Sequence, residues 1–350
     1  MSYTPSTLVA CPNLQDRLDN VFANDAARFY IDPIPFSEFL MSPLNKNGLA
    51  FQVSNGKGKV RNVELTYQPR ILQSEVSTNV SDYCAATTER GNTSEEYTID
   101  TTKNLAFDQK FDVEDLKSSC EDNENWFADQ IAKMIAALDT AVNNKNATQA
   151  AALLGGWSSD ISGVPHITMS SDVAQVRTLQ PSSTFAPFPS SMQSIKAAGR
   201  ISNFGASTIV GGMQLNHYLE QIQSGCCADY GLDLGDLQKR FGLASVYDRY
   251  VADAAGGDEF SWMVANGSLQ VLHYNRWTGL FGKQDANNSY GVVYGRLGIP
   301  YDISIKHDCG TIQVSVVATT KLVALPDDMY QTGDHLDGVK GFAAIEVDNS

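Results

Sequence analysis

NENWFADQIAKMIAALDTAV, residues Asn123 to Val142, places Phe127, Ile131, Met134, Ile135, Leu138 and Val142 at spacings of three and four. That spacing marks one face of a helix. Glu121, Asp122 and Glu124 crowd its start, where the helix dipole favours negative charge. Twenty or so residues at ~1.5 Å each predict a rod of ~30 Å. An alanine-rich second helical stretch follows and ends at Gly155-Gly156.

Upstream the period is different. From Asn62 to Tyr67 the chain alternates, with Val63, Leu65 and Tyr67 on one side and Asn62, Glu64 and Thr66 on the other. Alternation of this kind predicts a half-buried strand. Asn55-Gly-Lys-Gly-Lys59 just before it reads as a turn. A second strand group is expected from Tyr97 to Phe111, beyond a polar stretch from Thr87 to Glu96. Residues 48–112 therefore read as an extended, hairpin-like excursion. Residues 1–46, with Pro12, Pro33, Pro35 and Pro43, read as an arm that must dock on another surface.

Downstream the pattern is mixed. A Ser/Pro/Phe-rich loop is expected at 181–191, then a short helix from Met192 to Ala198 ended by Gly199. Ser207 to Gly211 reads as a strand, and Met213 to Gln223 and Leu237 to Phe241 read as helices. Ser245 to Val251, Phe260 to Val264 and Leu269 to Tyr274 read as strands. Ile303, Ile305 and His307 alternate into a turn at Asp308-Cys-Gly310, and Ile312 to Leu325 returns. The final strands are expected to pair near the long helix. No repeat of 20–50 residues is visible.

The chain has 350 residues, 43% of them hydrophobic, which is ample for a sizeable core. Charged residues reach only 19%. The net charge of −15 disfavours specific nucleic-acid binding, which rests on cationic neutralisation of phosphates. The start Met1-Ser-Tyr-Thr-Pro-Ser6 has no basic or apolar leader, so no secretory signal is expected. No apolar stretch approaches a membrane span.

Chemistry-bearing patterns are sparse. The five histidines, 166, 217, 273, 307 and 335, sit in no H-E-x-x-H or H-x-E pattern, and G-x-S-x-G is absent. Gly56-Lys-Gly-Lys59 lacks phosphate-loop spacing and reads as a turn. Cys226, Cys227, Cys309, His217 and His307 include zinc-ligand types, but their spacing matches no zinc module. Cys226 or Cys227 as a hydrolase nucleophile would need a paired histidine that the pattern does not specify. Asp327-Asp328 and Asp258-Glu259 read as solvated surface rather than paired catalytic acids. Trp126, Trp157, Trp262 and Trp277 read as core or interface anchors before a sugar site. Trp157, at an element end, is assigned to a subunit interface. The cysteines, at 11, 84, 120, 226, 227 and 309, default to reduced thiols. Cys84 and Cys120 flank a strand-rich segment, and sequence does not decide whether they pair. No catalytic residue, cofactor or metal is expected.

Several phrases carry a resemblance: Val63-Glu-Leu-Thr-Tyr-Gln-Pro-Arg70, Ser207-Thr-Ile-Val-Gly-Gly212, Gly242-Leu-Ala-Ser-Val-Tyr-Asp248, Gly298-Ile-Pro-Tyr-Asp302 and the closing Ile303 to Leu325. With the element order, they make the chain similar to tailed-bacteriophage major capsid proteins of the Hong Kong ninety-seven type. The resemblance implies an α+β fold with an N-terminal arm (1–46) and an extended E-loop (47–113). It further implies a peripheral domain (114–195 and 296–350) holding a spine helix at 120–155, and an axial α/β domain (196–295). It implies a non-enzymatic virion protein that self-assembles as hexamers and pentamers into an icosahedral head shell around the DNA genome. The packaged DNA would be held without sequence-specific binding, and there would be no membrane contact. Portal, scaffold or decoration proteins would be partners, and assembly would occur in the host bacterial cytoplasm. A fused scaffold segment ahead of the arm is not expected.

On such an acidic chain, Lys57, Lys59, Arg61 and Arg70 are expected to make cross-subunit contacts. The alternatives are an encapsulin-like compartment shell, another phage structural protein such as a tail or decoration subunit, or an unrecognised enzyme.

Overall fold

The stripe from Phe127 to Val142 lies on a single helix of 30 residues, Asn123–Ala152 (α2), in the computed structural model. The structure describes residues 16, 18–20, 22–23, 32–45, 51–54, 60–69, 91–112, 123–170, 173–177, 187–215, 243–277, 284–285, 288–308, 310–326 and 339–348. The alanine-rich stretch expected as a second helix continues the first without a break. The helix stops where Gly155 donates its N–H to the Phe342 carbonyl at 2.9 Å. A side chain at Gly155 would place its Cβ 2.8 Å from Lys340 Cβ, which is why the chain is bare there.

Other α-helices among the described residues include α1 (Pro35–Met41), α3 (Pro187–Ile201) and α4 (Arg249–Ala255). The first strands are β1 (Phe51–Ser54), β2 (Val60–Tyr67), β3 (Thr93–Asp100) and β4 (Leu105–Asp112). Then come β5 (Ile167–Ser170), β6 (Val173–Arg177), β7 (Ser207–Gly211) and β8 (Leu243–Tyr247). Later strands are β9 (Phe260–Ala265), β10 (Leu269–His273), β11 (Gln284–Asp285) and β12 (Asn288–Tyr294). The last are β13 (Pro300–Asp308), β14 (Thr311–Ala318), β15 (Thr320–Ala324) and β16 (Phe342–Asp348). The class is α+β.

A five-stranded antiparallel sheet, in the order β11-β12-β13-β14-β4, lies over the first half of α2. Ile303, Ile305, Val314, Val316 and Phe111 face Phe127, Ile131, Ile135 and Leu138 in one core. Leu18 and Ile34 of the arm enter that core fully buried. A six-stranded mixed sheet, β5-β6-β16-β9-β7-β8, takes the far end of α2. On one face of that sheet, α3 packs Ile195 and Ala198 against Ile209, Met263 and Ile345. On the other, Phe36 and Leu40 of α1, Val251 of α4, and Ala147 and Ala150 of α2 meet Trp262 and Phe342. One helix thus serves both sheets. Each large apolar side chain so buried stabilises the fold by ~1.5–3 kcal/mol.

A three-stranded sheet, β1-β2-β3, and a two-stranded one, β10-β15, are the other sheets among the described residues. The expected excursion at 48–112 therefore divides. Strands β1 to β3 form the hairpin sheet, but β4 leaves it and pairs with β14, Phe111 opposite Ile312. The returning strand expected from Ile312 to Leu325 also divides at Thr319. Its second part turns away to pair with β10, and Tyr274 N–H bonds the Thr319 carbonyl at 3.0 Å.

Other expectations change for local reasons. The strand expected at Ser245–Val251 ends at Tyr247, because the Asp248 carboxylate accepts from Tyr250 N–H and Val251 N–H and starts α4. The helix expected at Met192–Ala198 begins earlier, at Pro187, since proline is tolerated in a first turn. Gly199 lies inside that helix, where its bare backbone lets Met263 approach.

Strands β5, β6 and β16 share a sheet with β7 and β9, while β12 pairs with β13. Most of the helix expected at Met213–Gln223, and all of Leu237–Phe241, Cys84 and Cys120, lie outside the described residues.

Candidate assembly surface

The register of β2 on β3 sorts their side chains into two faces. Val63 lies opposite Tyr97, Arg61 opposite Ile99, and Glu64 opposite Glu96. On the inward face Val63, Leu65, Tyr67, Tyr97 and Ile99 are buried against Leu272, Val323 and Leu325 of the β10-β15 ledge. Two hydrogen bonds rim this contact: Tyr97 O–H donates to the Ala324 carbonyl at 3.0 Å, and the Lys321 ammonium to the Thr98 carbonyl at 2.9 Å. The outward face carries Glu64, Thr66, Ser94, Glu96 and Thr98, all exposed. Two carboxylates directly opposite each other repel. The outward surface that these residues form is therefore polar and acidic.

The residues marked by sequence fall in different places. Lys57, Lys59 and Arg70 lie outside the described residues. Arg61 shares the inward face with Val63 and Leu65, and its guanidinium carbon sits 5.1 Å from the centre of the Tyr274 ring in the same subunit. Alternation turns it toward its own ledge rather than outward. Trp157 is inside the subunit, only 5% exposed. Its indole N–H donates to the Ala344 carbonyl at 2.7 Å, and its ring lies 5.2 Å from that of Phe204.

Two buried carboxylates organise the frame behind this surface. Asp139, on α2, accepts from Tyr301 O–H at 2.5 Å and lies 3.3 Å from Arg296 Nε. Arg296 also donates to the Asp32 carbonyl at 3.1 Å, tying in the arm. Burial raises the Asp139 pKa, and the Tyr301 hydrogen bond and the Arg296 charge oppose the rise. Tyr301 is raised by burial and then by the Asp139 charge. Asp248 accepts from Phe36 N–H at 3.0 Å and from the Asn143 amide at 2.9 Å. Sequence reading missed both centres. The signal was present: Asp139, Asn143 and Asn146 continue the buried stripe at helical spacing, as polar residues on an apolar face.

A cleft of about 130 Å³ is lined by Tyr274, Arg276, Trp277, Asp302, Ser304 and Ser315. Asp302 is raised by burial, while Arg276 N–H and Trp277 N–H hydrogen-bond its carboxylate at 2.8 and 3.1 Å. A wider cleft of about 560 Å³ lies where Tyr67, Tyr97, Lys321, Leu325 and Lys340 meet. Neither lining holds a cysteine, a histidine or a pair of carboxylates. Among the described residues no three His, Cys, Asp or Glu side chains converge as a metal site. Among them, too, no helix is long and apolar enough to cross a membrane.

No protein-family model matches the chain, and no curated protein matches it. Solved structures do. The chain is similar to one from the cyanophage A-1(L) capsid asymmetric unit at 11% identity and TM-score 0.49, covering 90% of this chain and 92% of that one. A chain from Mycobacterium phage Adephagia matches at 8% identity and TM-score 0.44, covering 86% and 89%. A chain from the satellite phage P4 procapsid, which includes the size determination protein, matches at 10% identity and TM-score 0.40, covering 94% and 98%.

Proposed function

We propose that this chain is a structural subunit of a tailed-phage head shell, working by self-assembly through hexamers and pentamers. The observation that carries the reading is the layout. A docked arm leads to a three-stranded hairpin sheet whose outward face carries Glu64, Thr66, Ser94, Glu96 and Thr98, and a 30-residue helix then braces two separate sheets. That is the element order implied by the Hong Kong ninety-seven resemblance. Heterologous contacts around an axis close such subunits into rings. The buried carboxylates Asp139 and Asp248 act as structural ties in this reading.

The subunit would sit in the virion head after assembly in the host cytoplasm, beside portal, scaffold or decoration proteins. Packaged DNA would be enclosed without being gripped, as a net charge of −15 favours. Electron microscopy of the expressed protein, alone and with neighbouring gene products, tests the proposal. Uniform icosahedral shells are the expected result. A monomer that forms no particles at high concentration under any of these conditions would overturn it.

A further inference from the structure

The chain crosses between the hairpin-and-ledge layer and the five-stranded sheet at two described places. One is the turn Thr101–Asn104, joining β3 to β4; the other is Thr319, joining β14 to β15. A single side chain reaches both. The Lys145 ammonium, on α2, donates to the Thr320 carbonyl at 2.7 Å and to the Lys103 carbonyl at 3.3 Å. One helical turn further on, Gln149 Oε1 accepts from Leu322 N–H at 2.8 Å and holds β15 alongside.

These contacts surround the base of the hairpin. On β3 itself, just before this turn, Tyr97 O–H and the Thr98 carbonyl also tie the hairpin to the ledge, through Ala324 and Lys321. Within the turn the Asp100 carboxylate accepts from Thr102 N–H at 2.8 Å and from Thr102 O–H at 2.6 Å, and Lys103 N–H donates to the Asp100 carbonyl at 3.2 Å. Lys145 is half-buried, and burial lowers its pKa. Among the described residues it forms no ion pair, so both of its described contacts are to backbone carbonyls at the crossing points. An ammonium carries three donor hydrogens on a flexible stem, enough to reach two carbonyls at once.

We infer that Lys145 is the positioning residue of the hairpin sheet, fixing its angle to the body by pinning both crossings to α2. The consequence for shells rests on the shell-subunit reading above; the effect on the hairpin itself does not.

Hydrogen exchange on the full chain tests the pin. Lys145→Met keeps the stem and removes the donors. Hydrogen bonds from a charged donor are worth enough that β2 and β3 amides should exchange about 10-fold to 100-fold faster. Amides of α2 and of β13-β14 should keep their protection, and Lys145→Arg should restore the hairpin. Unchanged hairpin exchange overturns the inference, and so does an equal rise in β13-β14, which would make Lys145 a general stabiliser.

If Lys145→Met does not fold, two glycines inserted between Thr102 and Lys103 make the same test from the other side. That insertion should loosen β2 and β3 alone, and no loosening overturns the inference. Electron microscopy then reads the assembly arm. Wild-type shells with at least ~10-fold fewer from the variant with loosened hairpins are expected. Equal shell yield and diameter from that variant and wild type overturn the role in assembly. Absence of wild-type shells counts against the shell-subunit reading and leaves the exchange result standing.

Discussion

The Asn143 amide donates to Asp248 Oδ2 at 2.9 Å, joining the middle of α2 to the first residue before α4 across 105 positions of sequence. The same oxygen accepts from Phe36 N–H at 3.0 Å, and the other carboxylate oxygen accepts from Tyr250 N–H at 2.8 Å. Three helices therefore share one carboxylate. Asp248→Ala would strip a helix cap and leave a buried amide and a buried N–H without partners. A loss of about 2–4 kcal/mol is expected in urea unfolding. A loss within ~0.5 kcal/mol, the range of ordinary surface changes, would show that water replaces the carboxylate at little cost.

Asp139 predicts a pH dependence with a definite sign. Burial holds its pKa above the ordinary 3.8, so the folded chain binds the proton more tightly than the unfolded chain. Its contribution to stability is full below 3.8 and is lost as pH rises through the raised folded value. Asp302, also raised by burial, adds in the same direction. Asp139→Asn cannot ionise. In urea titrations, wild type should lose stability relative to that variant as pH climbs above 3.8. A wild type that gains on the variant would contradict the sign.

Two glycines should respond differently to alanine. At Gly212 an added Cβ would lie 2.1 Å from the Asp258 carbonyl oxygen, which is backbone and cannot swing aside. At Gly199 it would meet Met263 Cε at 2.3 Å, the free end of a flexible side chain. Gly212→Ala should cost about 1–3 kcal/mol by overpacking. Gly199→Ala should cost less, because alanine's helix propensity returns up to ~1 kcal/mol. Thermal unfolding of the two variants checks the order.

The outward hairpin face gives a smaller effect. Glu64→Lys replaces a repelling pair with an attracting one opposite Glu96. A gain of ~0.2–1 kcal/mol is expected in the monomeric chain. No gain, or a loss, in denaturant unfolding would mean that the two carboxylates are already held apart.

The local periods were readable in advance, and particular residues show where that reading stops. The alternation Val63, Leu65, Tyr67 separates the faces of β2, and the same alternation puts Arg61 on the inward side. The stripe on α2 was legible from Phe127 to Val142, but Asp139 and Asn143 continue it as polar residues whose partners, Tyr301 and Asp248, lie 162 and 105 positions away. Trp157 was placed at an element end, as it is, but the Ala344 carbonyl that draws it inside lies 187 positions away.

By itself the sequence determined the secondary elements with the clearest patterns, the acidic balance, and which residues of β2 and α2 share a face. Those are local properties, set by the two-residue period of a strand and the ~3.6-residue period of a helix. Only the tertiary structure decided that β4 joins β14 rather than β3, that β15 leaves β14 at Thr319, and that one helix spans two sheets. Strand pairing and the partners of buried polar groups depend on residues distant in sequence. A local period reports which face a side chain takes, and says nothing of what will cover it.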